Sequence, residues 1–199
     1  MRRALVVLCC LVCTGCAATL KAEGDPAPVS SGKFTSQALA GGVTVTTVDA
    51  TSSMEWQHFD LDTGEAVAED AGWDLAFSRQ RVLSNSGVTG DGDVAMALLK
   101  GVAFEHVAEV PSEATFDVDH EDTDQDTNKD ADNIFNGPGQ TWYAYNEMTH
   151  LLTPHDDTYL IRSSEQHSFK LRVEGYYDAV GTSGMLRFRW AELEAAQEN

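Results

Sequence analysis

The sequence predicts an all-β fold, mostly antiparallel, built as a sandwich or an irregular barrel-like body. Three observations carry this. Apolar residues recur at every second position in several segments, turn signals separate those segments, and no stretch sustains a helical period. Near the start of the body Val43, Val45 and Thr47 share one parity, and Trp73, Leu75 and Phe77 share another. Phe169, Leu171 and Val173 then alternate with Lys170, Arg172 and Glu174, and Leu186, Phe188 and Trp190 alternate with Arg187 and Arg189. Residues 158–163 and 167–174, joined by Ser164-Glu165-Gln166, predict a hairpin. Only residues 94–110 compete as helix, and Gly101 with the β-branched Val102, Val107 and Val110 argues against it. Turns are expected at Thr63-Gly64, Asn85-Ser86-Gly87, Gly90-Asp91-Gly92, Asn136-Gly137-Pro138-Gly139 and Gly181-Thr182-Ser183-Gly184.

The chain has 199 residues, one domain's worth, with 13 Lys and Arg against 32 Asp and Glu, a net charge of −19. So anionic a surface repels phosphate backbones, which makes nucleic acid an improbable partner class. All four cysteines, Cys9, Cys10, Cys13 and Cys16, precede residue 17, so disulfides, Cys-ligated zinc and Cys nucleophiles are excluded from the body. Residues 1–15 read as a signal peptide: basic Arg2-Arg3, an apolar run over 4–12, then Cys13-Thr14-Gly15. Thr14-Gly15 before Cys16 resembles a bacterial lipobox, with Cys13 where an aliphatic residue is usual. Cys16 is therefore the expected lipidation site, anchoring the protein at the outer membrane or cell surface. The alternative is a periplasmic or secreted product. Residues 16–40, rich in Ala, Gly, Ser, Thr and Pro, read as a flexible tether, and 41–199 as the single β domain.

Residues 117–132 hold eight acids and one lysine. Within this acidic loop Asp122, Asp124, Asp126, Asn128 and Asp130 recur at alternate positions, a pattern of hard oxygen donors that suits Ca2+. Thr127 and Asn133 stand where the EF-hand template needs Gly and Glu, so that template fails, and a solvated loop is the other reading. The sequence contains no G-x-S-x-G, H-E-x-x-H or Walker motif, and no enzymatic activity is expected.

Several blocks stand in a fixed order: Trp73-Asp74-Leu75-Ala76-Phe77-Ser78-Arg79 followed by Ser84-Asn85-Ser86-Gly87, then Trp142-Tyr143-Ala144-Tyr145-Asn146 leading to Thr149-His150-Leu151-Leu152-Thr153-Pro154. Tyr159-Leu160-Ile161-Arg162 and Lys170-Leu171-Arg172-Val173 with Gly175-Tyr176-Tyr177-Asp178 follow. In content and order these blocks resemble the HmuY-like haem-binding lipoproteins of Gram-negative bacteria, and the resemblance covers about residues 54–192. It implies an HmuY-like all-β fold, haem as cofactor, capture of haem from a haem-carrying protein, and a TonB-dependent outer-membrane receptor as partner. It also implies two axial side chains on the haem iron. His150 lies in the matching tract, and His120 stands thirty residues earlier, in the neighbourhood of the second donor. Met148 is the third candidate, since a thioether can replace imidazole on haem iron.

The other histidines invite simpler readings. His58 alternates with Trp56 and Asp60 and is expected exposed, while His167 shares parity with Phe169 and is expected at the core edge. His155 has no recognisable zinc spacing. Asp74 and Arg79 are expected to pair, and Trp142, Tyr143 and Tyr145 to serve as core or as a cofactor wall. The rival function is a calcium-stabilised surface β-domain for adhesion, glycan or protein contact without haem ligation.

Overall fold

The computed structural model describes residues 26–123 and 131–194. Thirteen strands follow one another along the described chain: β1 (Val29–Ser31), β2 (Phe34–Ala38), β3 (Thr44–Asp49), β4 (Gln57–Asp60), β5 (Glu65–Val67), β6 (Leu75–Ser78) and β7 (Arg81–Ser84). Then come β8 (Ala95–Leu99), β9 (Tyr143–Asn146), β10 (Leu151–Pro154), β11 (Thr158–Arg162), β12 (Ser168–Tyr177) and β13 (Ser183–Leu193). Seven of them form one antiparallel sheet in the order β1-β2-β3-β13-β12-β11-β8, four form a second in the order β5-β4-β6-β7, and β9 pairs with β10 alone. Among the described residues no sheet closes into a barrel, so of the two architectures expected the open, layered one is present.

The main core lies between the seven-stranded and four-stranded sheets. Phe77 stacks on Phe188 at 5.2 Å between centroids, and Phe59 meets Phe34 at 4.7 Å, so aromatic pairs bridge the layers. Phe169, Leu171 and Val173 all point into this core, as their alternation predicts, and so do Leu186 and Phe188. A bulge near Gly175 then shifts the parity of β12, so that Tyr176 rather than Tyr177 is the buried tyrosine. The expected hairpin is β11–β12. In β3 Val48, with Thr46 and Ala50 on the same parity, is buried on the side of the main core, whereas of the Val43, Val45, Thr47 set only Val45 is buried, and outside that core cluster. Thr46 is tolerated there because its Oγ1 accepts the Trp190 Nε1–H at 3.0 Å.

Composition misplaces the start of the body. Residues 29–38, assigned to the tether over 16–40, are two strands of the large sheet, and Phe34 is 1% exposed in its core. The signal peptide 1–15 and Cys16 lie outside the described residues. Residues 94–110 hold β8 and a single 3-10 turn, Phe104–His106. β8 is covered on both faces, Met96 by the main core and Ala97 by a second cluster with Leu160, Leu193 and Val107, which removes the alternation that would mark it as a strand. Lys170 Nζ donates to the Phe104 and Val107 carbonyls, holding that covering segment down.

Candidate functional site

Three sequence candidates fall in two places, each prepared by the backbone around it. His120 follows Asp119, which is 1% exposed and accepts four hydrogen bonds. Ser84 N–H and Thr89 Oγ1–H reach Oδ2 at 3.0 and 2.9 Å, and Ser84 Oγ–H and Asn133 Nδ2–H reach Oδ1 at 2.7 and 3.1 Å. Burial pushes this carboxyl up, against those donors. The Asn85-Ser86-Gly87 turn wraps the same residue: Gly87 has φ +56°, and a Cβ there would meet the Asp119 carbonyl oxygen at 1.9 Å. The His120 backbone then pairs with Asp132 through both N–H and C=O. Its ring stays exposed, with Nε2 2.7 Å from Asp117 Oδ1. Burial pushes the Asp117 carboxyl up, but the His120 ring and the Val118 N–H outweigh it and hold it low. His120 lines a cleft of about 210 Å3 with Asp117, Asp132, Ile134, Pro138 and Gln140. That is below the roughly 300–1,000 Å3 of pockets that enclose a small-molecule ligand.

His150 and Met148 sit on the four-residue loop of the β9–β10 hairpin, where Asn146 pairs with Leu151. Asn146 Oδ1 accepts the Met148 and Thr149 N–H groups at 2.9 and 3.0 Å, and His150 closes the loop by donating N–H to Asn146 O at 2.7 Å. His150 takes φ +58°, a left-handed conformation that His tolerates better than most residues. Its Nδ1 is hydrogen-bonded to Tyr145 Oη. Met148 is 93% exposed, and Tyr145 and Leu151 are exposed beside it, an unusual density of apolar groups on one hairpin. The base of the hairpin is fixed: Trp142 is buried with Nε1–H donated to Gln80 O, and Leu152 N–H is donated to Tyr177 Oη at 3.0 Å. Trp142 thus serves the core, Tyr143 is half-buried against it, and only Tyr145 of the three faces solvent.

His120 and His150 belong to separate elements, and His150 does not line the His120 cleft. The donor set nonetheless suits haem iron: two exposed imidazoles and one exposed thioether, with tyrosine and leucine as apolar surface. The sequence marked Tyr145 as core or cofactor wall and Asp117 as part of the acidic loop, but not as the partners of His150 and His120. The i, i+3 spacing of Asp117 and His120 was the available signal for the second.

Two of the remaining histidines, His58 and His167, differ from their expected settings. His58 is half-buried with its ring 4.9 Å from Trp73, and burial lowers its pKa, partly offset by Glu69. His167 is exposed, not at the core edge, and its Nδ1 lies 2.6 Å from Asp62 Oδ1, which raises its pKa. His155 donates its N–H to Trp142 O and borders two clefts beside the hairpin. Asp74 and Arg79 hold different groups. Asp74 accepts the Leu61 and Ser164 N–H groups, whereas Arg79 donates to Thr51 O, Ser183 O and Ser183 Oγ. Of the calcium-loop set only Asp122 is described; Asp124, Asp126, Asn128 and Asp130 lie outside the described residues.

The model of the HmuY protein family matches residues 52–190. No curated protein matches the chain. Among solved structures, a candidate lipoprotein of Bacteroides fragilis superposes with a TM-score of 0.57 at 22% identity, covering 77% of this chain and 91% of its own. The apo form of the Tannerella forsythia HmuY analog gives 0.57 at 13% identity, with 84% and 100% covered. A candidate HmuY-like haem-binding protein of Bacteroides vulgatus gives 0.55 at 17% identity, with 75% and 91% covered. At these identities the likeness establishes the fold.

Proposed function

The chain belongs to the HmuY family, and from that premise we propose that it captures haem at the outer membrane or cell surface, held there by a lipid on Cys16. It binds its ligand without transforming it. Family membership supports a haem-binding, non-enzymatic surface protein, and the structural likeness to a candidate lipoprotein agrees with surface placement. His150 would be the principal donor to the iron, His120 the second, and Met148 the substitute for either.

The observation that carries this reading is the exposed hairpin bearing Tyr145, Met148, His150 and Leu151. Iron needs an imidazole lone pair, and a ring nitrogen that carries a proton has none to give. If Nδ1 holds the proton and donates it to Tyr145 Oη, the Nε2 lone pair is left for iron, the arrangement by which outer partners orient metal-bound histidines. His120 differs, because its Nε2 faces Asp117; it offers iron its Nδ1, or exchanges Asp117 for the metal. When bound, the iron would supply a Lewis-acid centre for these side chains to coordinate. A TonB-dependent receptor is the partner that would accept the cargo.

Titration of the purified protein with haemin tests the proposal. A single saturable site with a shifted Soret band is expected, and His150→Ala should weaken binding or change the spectrum. A spectrum and affinity identical in His150→Ala would dismiss His150, and no saturable binding would dismiss the function. For the anchor, Cys16→Ala should move the protein from the membrane fraction to the soluble one.

A further inference from the structure

We propose that Asp62, Glu165 and His167 bind a divalent transition-metal ion of the zinc class, joining the β4–β5 turn to the β11–β12 turn. This site is separate from the haem residues. Their donor atoms lie within 4.8 Å of one another. The second observation is an orphaned buried oxygen. The Asp62 side chain is 5% exposed, its Oδ1 lies 2.6 Å from His167 Nδ1 and accepts from Ser163 Oγ at 3.2 Å, and its Oδ2 is buried without a partner. Native proteins rarely leave a buried carboxylate oxygen unpaired, so a ligand is called for there.

The surrounding groups supply charge and rigidity but not that partner. Asp60 and Asp74 have carboxylate oxygens within 4.8 Å of Asp62. Both are committed to backbone: Asp60 accepts the Asp62 and Thr63 N–H groups, and Asp74 accepts the Leu61 and Ser164 N–H groups. Asp74 thereby fixes Ser164, next to Glu165, and prepares the turn that presents Glu165 and His167. Three close carboxylates repel one another, and a cation between Asp62 and the exposed pair offsets that repulsion. Zinc bonds of about 2.0–2.2 Å to nitrogen and oxygen are reached by small movements of Glu165 and His167, both exposed. One imidazole with two carboxylates favours a borderline ion over Ca2+, which takes six to eight oxygens, and leaves a fourth position for water.

The test uses the mature chain treated with EDTA, with ZnCl2 and CaCl2 added separately and followed by calorimetry and thermal melting. Zinc should bind one site and raise Tm by about 5–10 °C at a hundredfold excess over Kd. His167→Gln and Glu165→Gln alter exposed side chains and should fold normally. Each should weaken zinc binding by about a hundredfold or more and remove most of the shift. The proposal is overturned if zinc gives no shift, if the shift survives in His167→Gln, or if calcium stabilises more than zinc. Co2+ in place of zinc should show visible absorption that disappears in His167→Gln; the same absorption in that variant would also overturn it.

Discussion

Asp119→Asn isolates the hub that positions His120. The substitution keeps shape and volume but replaces one carboxylate oxygen with an NH2 group. All four groups facing Asp119 are donors, two on each oxygen. Hydroxyls of Ser84 and Thr89 can rotate away, but the others are fixed. If the new NH2 takes the Oδ2 position it meets the Ser84 backbone N–H. If it takes the Oδ1 position it meets Asn133 Nδ2, which cannot flip because Nδ2 also donates to Val82 O while Oδ1 accepts the Phe135 and Asn136 N–H groups. Either rotamer buries one donor against another and loses one charge-assisted bond, a cost of about 2–4 kcal/mol. For a domain of this size the expected fall in Tm is about 5–15 °C. Calorimetric melting at neutral pH reads it directly. A variant melting within about 1 °C of wild type would refute the assignment of a buried, charged, four-donor hub.

Three further outcomes are expected. Phe34→Ala removes a ring packed on Phe59 and Phe77 and should cost about 3–5 kcal/mol in chemical denaturation, whereas a residue in a true tether would cost nothing. Burial lowers the pKa of His58 below its ordinary 6.5, so the unfolded chain takes the proton first as pH falls. Stability is then full above that value and declines as pH drops from it toward the folded-state pKa; His58→Gln should show a smaller loss of Tm between about pH 7.5 and 5.5, and an equal loss contradicts the assignment. Tyr145→Phe removes the partner of His150 Nδ1 and should weaken haemin binding by about tenfold while keeping the same axial ligands, which haemin titration with visible spectra will read.

Strands with one buried face were legible from alternation alone, as Phe169, Leu171 and Val173 show. Those that break the rule were not. β1 and β2 hide among serines and threonines because an edge ladder is held largely by backbone and needs only Phe34 as its apolar anchor. β3 turns Thr46 inward, where the partner that makes a hydroxyl acceptable, Trp190, lies 144 residues away. His167 reads as a core-edge residue until Asp62, 105 residues distant, is brought beside it. The candidate site residues follow the same division. The tract around His150 carries its family pattern locally, so the sequence points to it. The anchoring of His120 through Asp119 and the orphaned oxygen of Asp62 depend on packing between segments that no spacing encodes.

The central claim concerns which atoms hold the iron, and low-temperature electron paramagnetic resonance of the ferric haemin complex addresses it most directly. A low-spin signal is expected from the wild-type protein, of bis-imidazole type if His120 and His150 are the pair and of imidazole–thioether type if Met148 replaces one. His150→Ala should convert it to a high-spin or differently ligated signal, with Met148→Ala telling the two ligand sets apart. A low-spin signal unchanged in all three single variants, His120→Ala, Met148→Ala and His150→Ala, would contradict the account.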